Sequence, residues 1–167
     1  METKQSFWKC WRIISRHATT DTMQIIHFKR LSATAQTPKR MTPHASGYDL
    51  AADIQSELII PPLGRQCVPT GIAIALPVGM EAQVRSRSGL AARHGIGILN
   101  SPGTIDADYR GEIKVILFNA SNEPFTVQPG MRIAQLVIAE VAQSELMESE
   151  DLEETERNSG GFGHTGY

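Results

Sequence analysis

The stretch Leu58-Ile59-Ile60-Pro61-Pro62-Leu63-Gly64-Arg65-Gln66-Cys67-Val68-Pro69-Thr70-Gly71-Ile72-Ala73-Ile74-Ala75-Leu76-Pro77-Val78-Gly79 decides the fold. Turn signals at Pro61-Pro62-Leu63-Gly64, Pro69-Thr70-Gly71 and Pro77-Val78-Gly79 cut it into apolar runs too short for an uncapped helix. Proline fixes φ and lacks an amide donor, while glycine reaches the left-handed turn positions, so these groups end a strand and turn the chain. The same punctuation continues outward at Ser101-Pro102-Gly103 and Pro129-Gly130, and the runs SELII, GIAIAL, EAQVR, IKVILF and RIAQLVIAEV between the breaks are rich in Ile and Val. This pattern predicts an all-β chain, a jelly-roll-like β-sandwich or barrel. One segment departs from it. Ser88-Gly89-Leu90-Ala91-Ala92-Arg93-His94-Gly95 has a serine to cap it, helix formers inside and a glycine to stop it, which predicts one short helix.

With 167 residues, 41% apolar and 20% charged, the chain has the size and composition of a single globular domain. A domain of this length buries roughly 70% of the surface exposed when unfolded and needs no metal or disulfide to fold. The two cysteines, Cys10 and Cys67, form no CxxC pair, which predicts a reducing, cytoplasmic setting. No apolar run approaches the ~20 residues of a membrane helix, so no membrane partner is expected. The net charge of −2 conceals a division: residues 1–139 hold 15 Lys and Arg against 10 Asp and Glu, whereas residues 140–157 hold one Arg against eight acids. A mildly basic body attracts phosphates, and the acidic stretch stays solvated. No basic stripe alternates with aromatics, and aromatics make up only 6% of the chain, which argues against polymeric nucleic acid.

Three regions follow. Residues 1–22 carry both tryptophans and are read as a dispensable N-terminal extension, whether from a start assigned upstream, a targeting segment or a true extra arm. Glu2, Asp21 and the lack of a continuous apolar core weigh against targeting. Residues 23–141 form the β core. Residues 142–167 form an acidic linker and a flexible Gly-rich C-terminal arm, long enough when extended, at about 3.3–3.6 Å per residue, to reach a neighbouring subunit.

Three segments could carry chemistry. Arg85-Ser86-Arg87-Ser88-Gly89-Leu90 places guanidinium groups, hydroxyls and a glycine at the start of the expected helix, an anion site in outline. The same residues also suit a capped helix with surface arginines. Asn100 through Gly111 reads as a polar hairpin between apolar strands, carrying Asp106 and Tyr109, and an aspartate there serves either turn chemistry or catalysis. The terminal Arg157-Asn158-Ser159-Gly160-Gly161-Phe162-Gly163-His164-Thr165-Gly166-Tyr167 is either a loose tail or a cover whose lone Phe162 closes over a flat ring. It lacks the GK[ST] ending of a Walker loop.

Together these segments resemble the trimeric dUTPases, in a bacterial-type wording, from Met23 to Tyr167. Five motifs of that family stand in order: Ala45-Ser46-Gly47-Tyr48-Asp49-Leu50, Arg87-Ser88-Gly89-Leu90-Ala91, Asn100 through Gly111, Arg132-Ile133-Ala134-Gln135-Leu136, and Arg157 through Gly166. The resemblance implies hydrolysis of dUTP to dUMP and pyrophosphate, which limits uracil in DNA and supplies dUMP for dTMP synthesis. It implies a homotrimer with shared active sites. It also implies Mg2+ held through phosphates and water, with no metal ligand from the protein itself.

By the same resemblance Asp106 deprotonates the attacking water, and Arg87, Ser88, Gly89 and Gln135 bind the phosphate chain. Arg157 and Thr165 take the γ-phosphate. Base and sugar recognition falls to the hairpin through Asn100, Thr104, Ile105 and Tyr109, with Phe162 stacked on uracil. Asp49 organises the site by hydrogen bonds without touching the reacting atoms. His164 stands where the family commonly has Ser, which implies retained activity with an altered acidic pH dependence. The other histidines lack metal-ligand spacing. The rival readings are a dCTP deaminase of the same fold, possibly bifunctional, and a non-catalytic trimeric nucleotide-binding regulator.

Overall fold

The computed structural model describes residues 23–161, so the N-terminal extension and Phe162, His164 and Thr165 lie outside the described residues. The elements in chain order are β1 (His27–Arg30), β2 (Tyr48–Ala51), β3 (Leu58–Ile60), β4 (Arg65–Pro69), β5 (Ile72–Ala75), β6 (Met80–Arg85), α1 (Ser88–His94), β7 (Ile96–Ile98), β8 (Gly103–Ile105), β9 (Lys114–Asn119), β10 (Phe125–Val127) and β11 (Arg132–Glu140). Each run read from the sequence as a strand coincides with one to within a few residues: SELII with β3, GIAIAL with β5, EAQVR with β6, IKVILF with β9 and RIAQLVIAEV with β11.

Among the described residues every strand pairing is antiparallel. The strands form four small sheets, ordered β1-β5, β10-β3, β2-β11-β6-β8 and β4-β9-β7. None closes on itself, so of the two expected architectures the chain takes the jelly-roll-like sandwich and not the barrel. The turn glycines do what the sequence asked of them: Gly71, Gly79 and Gly130 sit at φ of 65°, 86° and 74°, where a side chain is strained.

One core joins the sheets. Ile74 of β5, Ile60 of β3, Leu50 and Leu136 of the four-stranded sheet, and Val115 and Leu117 of the three-stranded sheet all belong to a single buried cluster. In β9 the alternation is strict, with Val115, Leu117 and Asn119 turned inward. Burying each such aliphatic side chain contributes roughly 1.5–3 kcal/mol. The one inward amide, Asn119, is fully satisfied: it donates to the Ile60 and Glu123 carbonyls at 3.1 and 2.7 Å and accepts from the Ser121 amide at 2.9 Å.

Candidate active site

The site begins with a break in alternation. Strand β11 pairs with β2 in a register that shifts between Arg132 and Ala134, so Arg132 faces Ala51 and Ala134 faces Leu50, leaving Ile133 as an extra residue. Ile133 and Ala134 are both buried. In a regular strand, residues three apart point to opposite faces. The bulge instead brings Arg132 and Gln135 to the same carboxylate, that of Asp49 on β2. Arg132 Nη1 donates to Asp49 Oδ2 at 2.9 Å, and Gln135 Nε2 donates to Oδ1 at 3.4 Å.

Asp49 also faces Arg87, whose Nη2 stands 3.7 Å from Oδ2. The other end of the Arg87 fork donates to the Arg132 carbonyl at 2.7 Å. With its side chain only 6% exposed, Asp49 holds two guanidinium groups and an amide. Among the described residues it is the only buried acid. Three of the expected motifs thus meet at one carboxylate, where Asp49 faces Arg87, Arg132 and Gln135.

The Arg85–Leu90 segment differs from expectation in its capping. Ser88 was read as the N-cap, yet it is the first helical residue. The cap is Arg87, with φ −85° and ψ 121° and no side-chain cap bond, and its carbonyl accepts from the Leu90 and Ala91 amides at 3.0 and 3.1 Å. The helix therefore starts one residue earlier than expected, and the extended cap residue Arg87 has its side chain turned to Arg132 and Asp49 and not to its own helix. The other end follows the sequence, with Gly95 in the left-handed conformation at φ 67°. The two arginines and two serines also separate in role. Ser86 Oγ accepts from the Ile98 amide at 2.9 Å, and Arg85 forks onto Gln83 Oε1 of its own strand. Ser88 is exposed and Gly89 half-buried beside Arg87.

The Asn100–Gly111 hairpin is more elaborate than a polar loop between two strands. Its flanks β7 and β9 do pair, with Ile98 opposite Leu117. The excursion between them, however, carries β8, which leaves that sheet and becomes the edge of the four-stranded one by pairing with β6. Thr104 lies opposite Gln83 and Ile105 opposite Ala82. Asn100 is exposed, with its amide beside Gly103. Asp106 follows directly and is exposed, and its carboxylate makes no hydrogen bond or ion pair among the described residues. Its carbonyl closes a turn by accepting from the Tyr109 amide at 3.1 Å.

Antiparallel register then fixes a separation. Because Ile105 faces Ala82, Asp106 lies beside Glu81 at the start of β6, while Ser88 follows the end of that strand. At about 3.3 Å per residue the two are roughly 20 Å apart within one chain. Asp106 borders a surface hollow with Val78, Gly79, Glu81 and Gln143, and neither Arg87 nor Ser88 lines it. A single chain therefore brings Arg87, Gln135 and Asp49 together and keeps Asp106 apart from them. Arg157 lies in the arm, exposed, donating to the Gly160 carbonyl at 2.9 Å. From 142 to 161 the arm has neither helix nor strand.

Sequence reasoning gave no role to Arg132, although it quoted the motif that Arg132 opens. Its signal was an arginine three residues before a motif glutamine on a strand, which only a bulge reconciles. Among the described residues no group of three His, Cys, Asp or Glu is gathered as a metal site, and no helix is long and apolar enough to cross a membrane.

Fold and cluster define the class as a jelly-roll chain that gathers cations around a buried carboxylate beside a helix start. Comparison with known proteins narrows it. A family model described as dUTPase matches residues 33–166. The chain is 56% identical over 142 residues to the deoxyuridine 5'-triphosphate nucleotidohydrolase of Syntrophotalea carbinolica, covering 85% of this chain and 97% of that one. It is 57% identical over 129 residues to the enzyme of the same name from Cytophaga hutchinsonii, covering 77% and 84%. Among solved structures, a mutant dUTPase of Staphylococcus bacteriophage 80alpha with dUpNHpp superposes with a TM-score of 0.79 at 25% identity, covering 87% of this chain and 100% of that one. A mutant dUTPase from phage phi11 of S. aureus, described with a structural Mg(II) ion, shares the fold at a TM-score of 0.71 and 22% identity, covering 78% and 100%. The chain belongs to the dUTPase family.

Proposed function

We propose that this chain hydrolyses dUTP to dUMP and pyrophosphate as a homotrimer whose active sites are shared between subunits. The observation that carries the reading is the Asp49 cluster, which fixes Arg87 at the entrance of α1 beside Ser88 and the Gly89 amide. A triphosphate repels nucleophiles, so catalysis rests on positioning and on cations that absorb the charge of the departing pyrophosphate. Asp106, exposed and unpaired among the described residues, is free to take a proton from water. The water oxygen bonds to the α-phosphorus, the bond from that phosphorus to the bridging oxygen breaks, and the electron pair leaves with pyrophosphate.

In the completed site Arg87, Ser88, the Gly89 amide and Gln135 hold the phosphate chain, while Arg157 and Thr165 take its γ-phosphate. Backbone groups of Asn100, Thr104 and Ile105 read the uracil edge. Cytosine inverts the donor and acceptor there, leaving unpaired polar groups at about 1–3 kcal/mol each. Tyr109 lies against deoxyribose, where a 2′-hydroxyl would collide, and Phe162 stacks on the base as the arm closes and excludes other water. The side chains do not form a magnesium cage among the described residues. Mg2+ would arrive with the triphosphate, liganded by phosphate oxygens and water, and would neutralise part of its charge. Cys67, exposed and unpaired among the described residues, suits a reducing cytoplasm.

The separation of Asp106 from Ser88 is what favours shared sites, since one chain cannot present both to one phosphate. Complementation tests this. Arg87→Ala and Asp106→Asn each inactivate the pure protein, but co-refolding equal amounts should restore about a quarter of wild-type pyrophosphate release, by random pairing of intact halves. No recovery in mixed trimers verified by mass would overturn the shared site, and wild-type protein that releases no pyrophosphate from dUTP would overturn the activity.

A further inference from the structure

Tyr109 is half-exposed at 44%, at a place where a free phenol would rotate. Two neighbours restrain it. Its hydroxyl donates to the Glu112 carbonyl at 3.0 Å, and the hydroxyl end of its ring lies close against Gly111. A Cβ built on Gly111 would overlap the Tyr109 hydroxyl oxygen and stand 2.6 Å from Cζ and 3.0 Å from Cε2. Gly111 is not in the left-handed region, unlike Gly71, Gly79, Gly95 and Gly130, so its backbone does not require glycine. What requires glycine is the space taken by the phenol.

Glu112 is itself fixed. Its Oε1 accepts from the Gly71 amide at 2.9 Å, and Lys114 Nζ lies 3.6 Å from Oε2. Gly71 sits in the β4–β5 turn at φ 65°, and its carbonyl accepts from the Leu31 amide at 2.7 Å. The phenol is thus tied through Glu112 to a rigid turn of the core.

We infer that Gly111 and Glu112 are positioning residues for the Tyr109 ring and thereby set discrimination between deoxyribonucleotide and ribonucleotide. The inference rests on the reading above that Tyr109 lies against the sugar. The geometry sets the size of the effect. Normal contact between such atoms is about 3.5–4.0 Å, so a methyl at 111 must displace the phenol by about 1 Å. A 1 Å misplacement in a site costs up to about 100-fold in rate. The displaced atoms belong to an exposed side chain, so the fold is spared.

The experiment measures kcat/KM for dUTP and UTP with full-length protein, wild type, Gly111→Ala, Tyr109→Ala and the double variant. Gly111→Ala should reduce the dUTP-over-UTP preference at least about tenfold, with a melting temperature within about 2 °C of wild type. In the Tyr109→Ala background the ring is gone, so adding Gly111→Ala should change neither substrate's kcat/KM by more than about twofold. Glu112→Ala should lower the preference in the same direction, and Glu112→Gln, which keeps an oxygen for the Gly71 amide, should restore it. If Tyr109→Ala loses the preference while Gly111→Ala keeps it at the wild-type level, the positioning role is wrong and the sugar reading stands. If Gly111→Ala costs the same factor with and without the ring, Gly111 acts through something else and the inference fails. If Tyr109→Ala retains full preference, the sugar reading itself is refuted and the inference falls with it.

Discussion

Replacing Asp49 with asparagine keeps the shape of the side chain and removes the charge between two guanidinium groups. The amide still offers one oxygen, but its NH2 faces the fork of an arginine. Coulomb attraction at about 4 Å is ~4 kcal/mol at an effective dielectric of about 20. The Arg87 and Arg132 side chains are 24% and 44% exposed, so solvent screens much of that gain. Charge-assisted hydrogen bonds of this kind contribute ~1.5–3 kcal/mol, and the loss should fall in the same range. For a chain of this size that corresponds to a melting point lower by roughly 3–10 °C.

The functional loss should exceed the stability loss. Arg87 is held from two sides, by Asp49 and by the Arg132 carbonyl, and Arg132 is itself held by Asp49. Once both arginines are released, a displacement of about 1 Å at the phosphate chain lowers kcat/KM by up to about 100-fold. Thermal denaturation and pyrophosphate release from dUTP, measured on the same preparation below its melting range, separate the two effects. Asp49→Asn with wild-type kcat/KM and an unchanged melting curve would show that the cluster neither supports the fold nor orients Arg87.

Asp106→Asn should lower turnover by about 10²–10⁴-fold while calorimetry still detects dUTP binding, because the general base is lost and the phosphate contacts are not. Near-normal hydrolysis would remove Asp106 from the mechanism. Deleting residues 157–167 should collapse turnover and leave the melting temperature in place, since the side chains from 142 to 159 are exposed and outside the core. Full-speed turnover without those residues would refute the lid. His164→Ser should retain turnover at pH 8 and change the acidic limb between pH 5 and 7, since only the imidazole gains a proton there. Superimposable profiles for the two proteins would dismiss the histidine.

The strands were legible because their boundaries are local chemistry. Pro69-Thr70-Gly71 and Pro77-Val78-Gly79 can only turn the chain, and Gly95 carries its own left-handed cap. The start of α1 was legible to within one residue. The cap falls one residue earlier, at Arg87, which makes no side-chain cap bond and instead donates to the Arg132 carbonyl, 45 residues away in sequence. The β8–β6 pairing was hidden, since the Asn100–Gly111 text looks like a loop and an edge pairing leaves no local mark. At Asp49 the motif was visible, but its partners are 83 and 86 residues away. The register shift at Ile133 left no mark in the hydropathy, because two apolar neighbours, Ile133 and Ala134, read equally well as ordinary strand, and only the three-residue spacing of Arg132 and Gln135 points to it.

That shift makes the stretch from Arg132 to Gln135 sensitive to length in a way that it is not sensitive to spelling. A valine or leucine at 133 would still fill the core, since only bulk is asked of it. Losing the extra residue would leave a regular ladder with the guanidinium and the amide two positions apart on one side, whereas gaining one would turn them to opposite sides of the sheet and leave the aspartate facing one of them alone. Variation in this segment is therefore free to exchange letters and to drop the extra one, but barred from gaining another.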